Sequence, residues 1–135
     1  MSTRESEEIA LQFLGHCFRC EVEQILALLA HDATWWVIGD PSKVRVAGTR
    51  DRARIERFLL NVRRTFPKGL HGVIEGVTTE GERVAVEASS QATSANGHEY
   101  LNRYHFLVRV RDGLVMEIRE YLDTHVAWEA QQAVA

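Results

Sequence analysis

Residues 100–123 alternate apolar and polar side chains with a period of two on both sides of an Asp112-Gly113 turn, which is the pattern of a β-hairpin with one buried face. On the first strand Tyr104, Phe106, Val108 and Val110 share one side, and Leu101, Arg103, His105, Leu107, Arg109 and Arg111 the other. On the second, Leu114, Met116, Ile118, Glu120 and Leu122 form the apolar row, opposite Val115, Glu117, Arg119, Tyr121 and Asp123. One carboxylate, Glu120, therefore interrupts an apolar face. The turn decides what lies across from it, because a one-residue change of loop flips every side chain. A two-residue Asp-Gly turn sets His105 opposite Glu120; a three-residue loop with Gly113 in the left-handed position sets Tyr104 there and brings the two apolar rows together. The bulged loop is the expected one.

An acid among Tyr104, Phe106, Ile118 and Leu122 loses hydration, which disfavours its charged form and raises its pKa toward the range useful for proton transfer. Glu120 is thus the candidate acid or base. The competing account is a carboxylate reached by solvent at a strand end, or paired with an arginine.

The 135 residues, 45% of them hydrophobic, fit one domain, residues 1–135, with a real core. The net charge is −3 and no run of lysine or arginine tracks a phosphate backbone, so nucleic acid is an unexpected partner. No stretch of ~18 consecutive apolar residues is present and the N-terminus is polar and acidic, so no membrane partner and a soluble cytoplasmic chain are expected. Cys17 and Cys20 have redox-motif spacing but fall within a helical pattern with no second ligand pair, and read as inert thiols. The six histidines show no metal-ligand spacing; neither metal nor cofactor is expected.

Along the chain, Ile9, Ala10, Phe13, Leu14, Cys17 and Phe18 form the stripe of a helix over 6–18, and Val22, Ile25, Leu26 and Leu29 that of a shorter one ending near His31 and Asp32. A strand follows over 33–38, with Trp35 and Val37 on one side and Trp36 on the other. A third helix spans 52–62, N-capped by Asp51, with Ile55, Phe58, Leu59 and Val62 inward. The arginines here, Arg50, Arg52, Arg54, Arg57, Arg63 and Arg64, look like a cationic patch but are diluted by Asp51 and Glu56 and read as a solvated helix face. Strands over 70–79, 83–93, 100–111 and 114–122 are joined by Glu80-Gly81, Asn96-Gly97 and Asp112-Gly113, and a short helix over 124–132 closes the chain, capped by Asp123 and Thr124. Helices first and strands afterwards give an α+β class, with helices on one face of a curved antiparallel sheet. A two-residue turn at Asn96-Gly97 would pair Tyr104 with Ser89 and Phe106 with Glu87, turning Glu87 toward Glu120. That register leaves Val84, Val86 and Ala88 on the outer face, to be covered by a second copy in a homodimer.

The order of elements, with Asp32-Ala33-Thr34, Gly48-Thr49, Asn102-Arg103-Tyr104 and Arg119-Glu120-Tyr121-Leu122-Asp123-Thr124, resembles the nuclear-transport-factor-2-like superfamily, specifically SnoaL-like and ketosteroid-isomerase-related proteins, over nearly the whole chain. The resemblance implies a cone in which three N-terminal helices close a curved sheet over an apolar pocket, commonly as a dimer. It implies activities such as isomerisation, polyketide ring closure, dehydration or epoxide hydrolysis, or ligand binding alone. The positions matching the tyrosine and two aspartates of ketosteroid isomerases are Phe13, Val37 and Phe106, which argues against that reaction. Of the water-holding set of limonene-type epoxide hydrolases, only the final aspartate has a counterpart, Glu120; Trp35 and Val37 replace two others, and Glu87-Ala88-Ser89 stands near the Arg-x-Asp pair.

Three readings stay open. The first is an enzyme in which Glu120, with Tyr104 and Glu87, shuttles a proton on a hydrophobic, oxygenated small molecule held by Phe13, Trp35, Val37, Phe58, Asn102, Phe106 and Ile118. The second is a binding module for an apolar ligand, and the third a dimerisation domain whose cone is filled.

Overall fold

The computed structural model describes residues 2–133. Helix α1, Thr3–Phe18, starts where the Ser2 hydroxyl accepts from the Glu5 N–H, and Glu5 complements the positive helix end. It stops at Cys20, a non-glycine residue in the left-handed region (φ 55°), whose N–H returns to the Cys17 carbonyl. Helix α2, Val22–Leu28, is shorter than its apolar spacing suggests, because Leu29 already pairs with Val115 of the sheet. Strand β1 accordingly runs over Leu29–Val37 and includes His31 and Asp32. Strand β2, Gly48–Arg50, is too short to leave a periodicity in the sequence. Helix α3, Arg52–Thr65, is capped by Asp51 as expected, its carboxylate accepting from the Arg54 N–H. Strands β3 (His71–Glu80), β4 (Arg83–Thr93), β5 (Glu99–Arg111) and β6 (Leu114–Leu122) follow. Helix α4, Thr124–Ala133, is capped by Asp123, whose carboxylate accepts from the N–H groups of His125 and Val126.

The α+β class and the curved, unclosed sheet agree with the sequence reading, but the sheet is mixed. Its order is β2-β1-β6-β5-β4-β3, and β1 runs parallel to β6 while all other neighbours are antiparallel. The concave face and the helices share one core, in which Phe13 and Leu14 of α1, Ile25 of α2 and Ile55 of α3 meet Val86, Val108 and Ile118. Fully burying each such side chain stabilises by about 1.5–3 kcal/mol.

Two hairpin registers differ from expectation, and they differ in opposite senses. At Asp112-Gly113 the loop has two residues, not three: both take positive φ (51° and 80°) and Arg111 pairs with Leu114. The extra residue lies instead within β6, where Arg109 pairs with Glu117 and Val110 with Val115, leaving a bulge at Met116. Phe106, and neither Tyr104 nor His105, lies across from Glu120. The same bulge turns Val115 into the core and Leu114 out of it. At Asn96-Gly97 the loop has three residues, closed by the Ser94 N–H donating to the His98 carbonyl at 2.8 Å, with Gly97 at φ 86°. Val86 therefore pairs with Phe106, Ala88 with Tyr104, and Glu87 with His105.

That register corrects the reading of Glu87. Its side chain is exposed on the outer face, beside Arg103 and His105, because the core claims Val84, Val86 and Ala88. The apolar row that seemed to require a second copy is thus buried within the chain itself. The outer face carries Glu87, Arg103, Arg109, Glu117 and Arg119, and the argument for covering it with a homodimer loses its premise.

Candidate functional site

A cavity of about 880 Å³ opens between α3, α4 and the concave face of the sheet. Trp35, Phe58, Tyr104, Phe106 and Glu120 line it, as the sequence suggests, together with Tyr100. Phe13, Val37 and Ile118 do not: they are almost entirely buried in the layer behind the wall. Helical spacing for Phe13 and period-two parity for Val37 and Ile118 assigned their faces correctly, but neither reports depth.

Glu120 is 7% exposed. Its Oε1 accepts from the indole N–H of Trp35 at 2.9 Å. The indole is held by Phe13 (centroids 5.9 Å apart) and, edge to face, by Phe58 (5.7 Å). Oε2 has no hydrogen-bond partner among the described residues, and no fully buried side-chain polar atom there lacks one, so Oε2 is the oxygen open to the cavity. Burial raises the Glu120 pKa to about 7, against the Trp35 hydrogen bond and the field of Arg50, which both lower it. Both protonation states of the carboxyl are thus within reach near neutral pH, as taking or giving a proton requires.

Arg50 reaches the cavity from β2, where it pairs with Trp35. Its guanidinium donates to the carbonyls of Val46 (2.7 Å) and Arg45 (3.3 Å) and lies 4.4 Å over the Phe58 ring. Tied down in this way, it acts on Glu120 through its field and makes no ion pair with it.

A chain of hydroxyls from β4 and β5 runs along the wall. Ser90 Oγ and Tyr104 Oη are 2.8 Å apart, and Tyr104 Oη and Tyr100 Oη 3.1 Å. Asn102 gives this chain a direction. Its Oδ1 accepts from the backbone N–H groups of Arg103 and Asp123, so its amide nitrogen faces the other way and donates to Tyr100 Oη at 2.9 Å. Asn102 is consequently a buried brace between β5 and the end of β6, and does not line the cavity. Burial pushes the Tyr100 phenol up to about 12, opposed by the Tyr104 and Asn102 hydrogen bonds; burial also raises Tyr104. When Ser90 donates to Tyr104 and Tyr104 to Tyr100, Tyr100 Oη receives two donors and keeps its own proton for the cavity. Tyr100 is the site residue that sequence reasoning passed over, although it belongs to the same alternating row as Asn102, Tyr104 and Phe106.

Cys17 also lines the cavity, and its thiol pKa is raised well above the ordinary value by burial, then by Glu120 and Cys20. Among the described residues no three His, Cys, Asp or Glu side chains converge as a metal site, and no helix is long and apolar enough to cross a membrane.

The sequence matches the family model for the SnoaL-like domain over residues 10–118. No curated protein matches it. Among solved structures, an NTF2-like protein from Burkholderia xenovorans LB400 is 26% identical, covering 96% of this chain and 98% of that one, with a TM-score of 0.75. TerC, co-crystallized with polyporic acid, is 24% identical over 95% of this chain and 98% of its own (TM-score 0.78). PrhC from Penicillium brasilianum NBRC 6234 is 14% identical over 98% and 89%, with a TM-score of 0.84.

Proposed function

This chain belongs to the SnoaL-like family, and from that premise we propose that it binds a hydrophobic, oxygen-bearing small molecule in the cavity and moves a proton on it through Glu120. The reaction class is isomerase, cyclase or dehydratase. The observation that carries the reading is the Glu120 carboxyl itself: Oε1 is held by Trp35, Oε2 is open to the cavity, and the pKa lies near 7. An ionised Glu120 removes a proton from a carbon next to a carbonyl, and the carbonyl oxygen, as it gains charge, accepts from the Tyr100 hydroxyl. Glu120 then returns the proton to another atom of the same molecule, which leaves the protein unchanged. The co-crystallized acid in TerC supports a small-molecule role for the fold.

The test is proton exchange in D₂O. A panel of hydrophobic ketones and 1,3-diketones is incubated with the protein near neutral pD, and loss of the exchangeable C–H signal is followed by NMR. Exchange of at least one compound faster than in buffer, lost in Glu120→Gln with ligand affinity retained, is the expected result. Binding without accelerated exchange across the panel sinks the catalytic reading and leaves a binding module, which the predominance of apolar wall over hydrogen-bonding groups favours as the second reading.

A further inference from the structure

The cavity has a second chemical end. At its mouth stand Arg45, from the segment between β1 and β2, and Arg54, Arg57 and Arg64 of α3, with Asn61 between them. Positions 54, 57, 61 and 64 follow helical spacing, so α3 turns its apolar face inward and presents one polar stripe along the opening. None of the four arginines has a carboxylate partner among the described residues. Arg54 donates to the Thr49 carbonyl (3.5 Å) and Arg64 to the Asn61 side-chain oxygen (3.1 Å), both neutral acceptors.

Six arginines elsewhere pair with acids, Arg4 with Glu8, Arg19 with Glu21, Arg63 with Glu23, Arg103 with Glu75, Arg109 with Glu117 and Arg111 with Glu82, whereas Arg50 and Arg52 are tied to backbone carbonyls and Arg119 to Tyr121 and the Trp36 ring. The net charge is −3, so a local excess of positive charge is not a consequence of composition. Like charges crowded at one opening repel, and Arg54 indeed acts on Arg50 in that sense. We infer that the ligand is an amphipathic anion, an apolar body that fills the cavity and a carboxylate or comparable acidic group held by Arg45, Arg54, Arg57 and Arg64 at the mouth. This rests on the cavity being the ligand site.

Three physical points favour this occupant. Guanidinium groups match a carboxylate in a planar, two-point geometry that ammonium groups cannot. An opening lined by one sign of charge over low-dielectric walls concentrates ligands of the opposite sign. The polarity is also ordered: cations outside and the titratable Glu120 at the apolar floor keep the acidic group of the ligand away from an ionised carboxylate and direct its neutral end to the proton carrier. A nucleic acid would need a basic track, which a chain of net charge −3 with no run of lysine or arginine does not supply.

Two dyes of matched body test the inference: anilinonaphthalene sulfonate, and phenylnaphthylamine, which lacks the sulfonate. Each is titrated by fluorescence into the wild-type chain and into the double variant Arg54→Ala, Arg57→Ala, at low and high salt. The sulfonate should bind about tenfold more tightly than the neutral dye at low salt, a preference that salt reduces. In the double variant that preference should fall to about threefold or less, with the neutral dye unaffected. Equal affinities in the wild type, or a preference that survives the double substitution, overturns the inference while leaving the cavity reading intact. Failure of both dyes to bind overturns the cavity reading, and this inference with it.

Discussion

The indole N–H of Trp35 donates to Glu120 Oε1 across 2.9 Å, joining residues 85 positions apart in the chain. Among the described residues it is the one hydrogen bond this carboxyl receives from a side chain, and it lowers a pKa that burial raises. Trp35→Phe keeps an aromatic ring against Phe13 and Phe58 but removes the donor. The Glu120 pKa should then rise above its value of about 7, as read by NMR titration of the labelled side-chain carboxyl. An unmoved titration would show that the indole does not govern this acid.

The same shift makes stability depend on pH. The folded pKa of about 7 lies above the ordinary 4.5, so the folded state binds this proton more tightly than the unfolded state does. The contribution is fully present below about pH 4.5 and is lost as pH rises through 7, a change of about 3 kcal/mol. Glu120→Gln still accepts from Trp35 and cannot ionise. Urea unfolding at pH 4.5 and pH 8 should show the wild type losing stability relative to this variant; parallel behaviour of the two would contradict the burial of Glu120.

Gly72 on β3 faces the Phe18 ring so closely that an added Cβ would overlap ring carbons. Phe18 in turn packs edge-on against Tyr104 and Phe106. Gly72→Ala should therefore destabilise by about 1–3 kcal/mol, by pushing the ring toward the cavity. Chemical denaturation measures this, and an unchanged midpoint would mean that the edge strand yields instead.

Asn102→Leu fills similar volume but strands the Asp123 and Arg103 N–H groups and removes the donor to Tyr100. A loss of about 2–4 kcal/mol is expected. Hydrogen exchange should locate it at the Asp123 end of β6, where a uniform effect would argue against a local brace.

Cys17 and Cys20 are free thiols whose pKa values burial raises. Both should react with a water-soluble disulfide reagent far more slowly at pH 8 than a small-molecule thiol does, and full unfolding should restore the rate. Rapid labelling of Cys17 in the folded chain would show the cavity to be more open to water than its walls suggest.

Much of this was legible in the sequence because local rules carry it. The stripe from Ile9 to Phe18, the Asp51 cap, the alternation in β5 and the position of Glu120 on an apolar face are all settled within a few residues. The hairpin registers were not. Asp112-Gly113 and Asn96-Gly97 are each compatible with a two- or a three-residue loop, and the arrangement present is the one that buries Val84, Val86, Ala88 and Val115 together. Glu87 was misassigned for that reason alone.

By itself the sequence determined the α+β class, the longer helices and strands and most of the side chains that share a face within each, since these follow from periodicities of two or 3.6 residues and from caps, while the three-residue β2, the helix-to-strand switch at Leu29 and the bulge that exchanges Leu114 for Val115 did not. Only the tertiary structure decided that Phe106 faces Glu120, that Trp35 holds it, that Asn102 braces Tyr100, and that four arginines gather at one opening. Those are relations between residues distant along the chain, set by which packing buries the most apolar surface with every buried polar group satisfied. No local pattern encodes them.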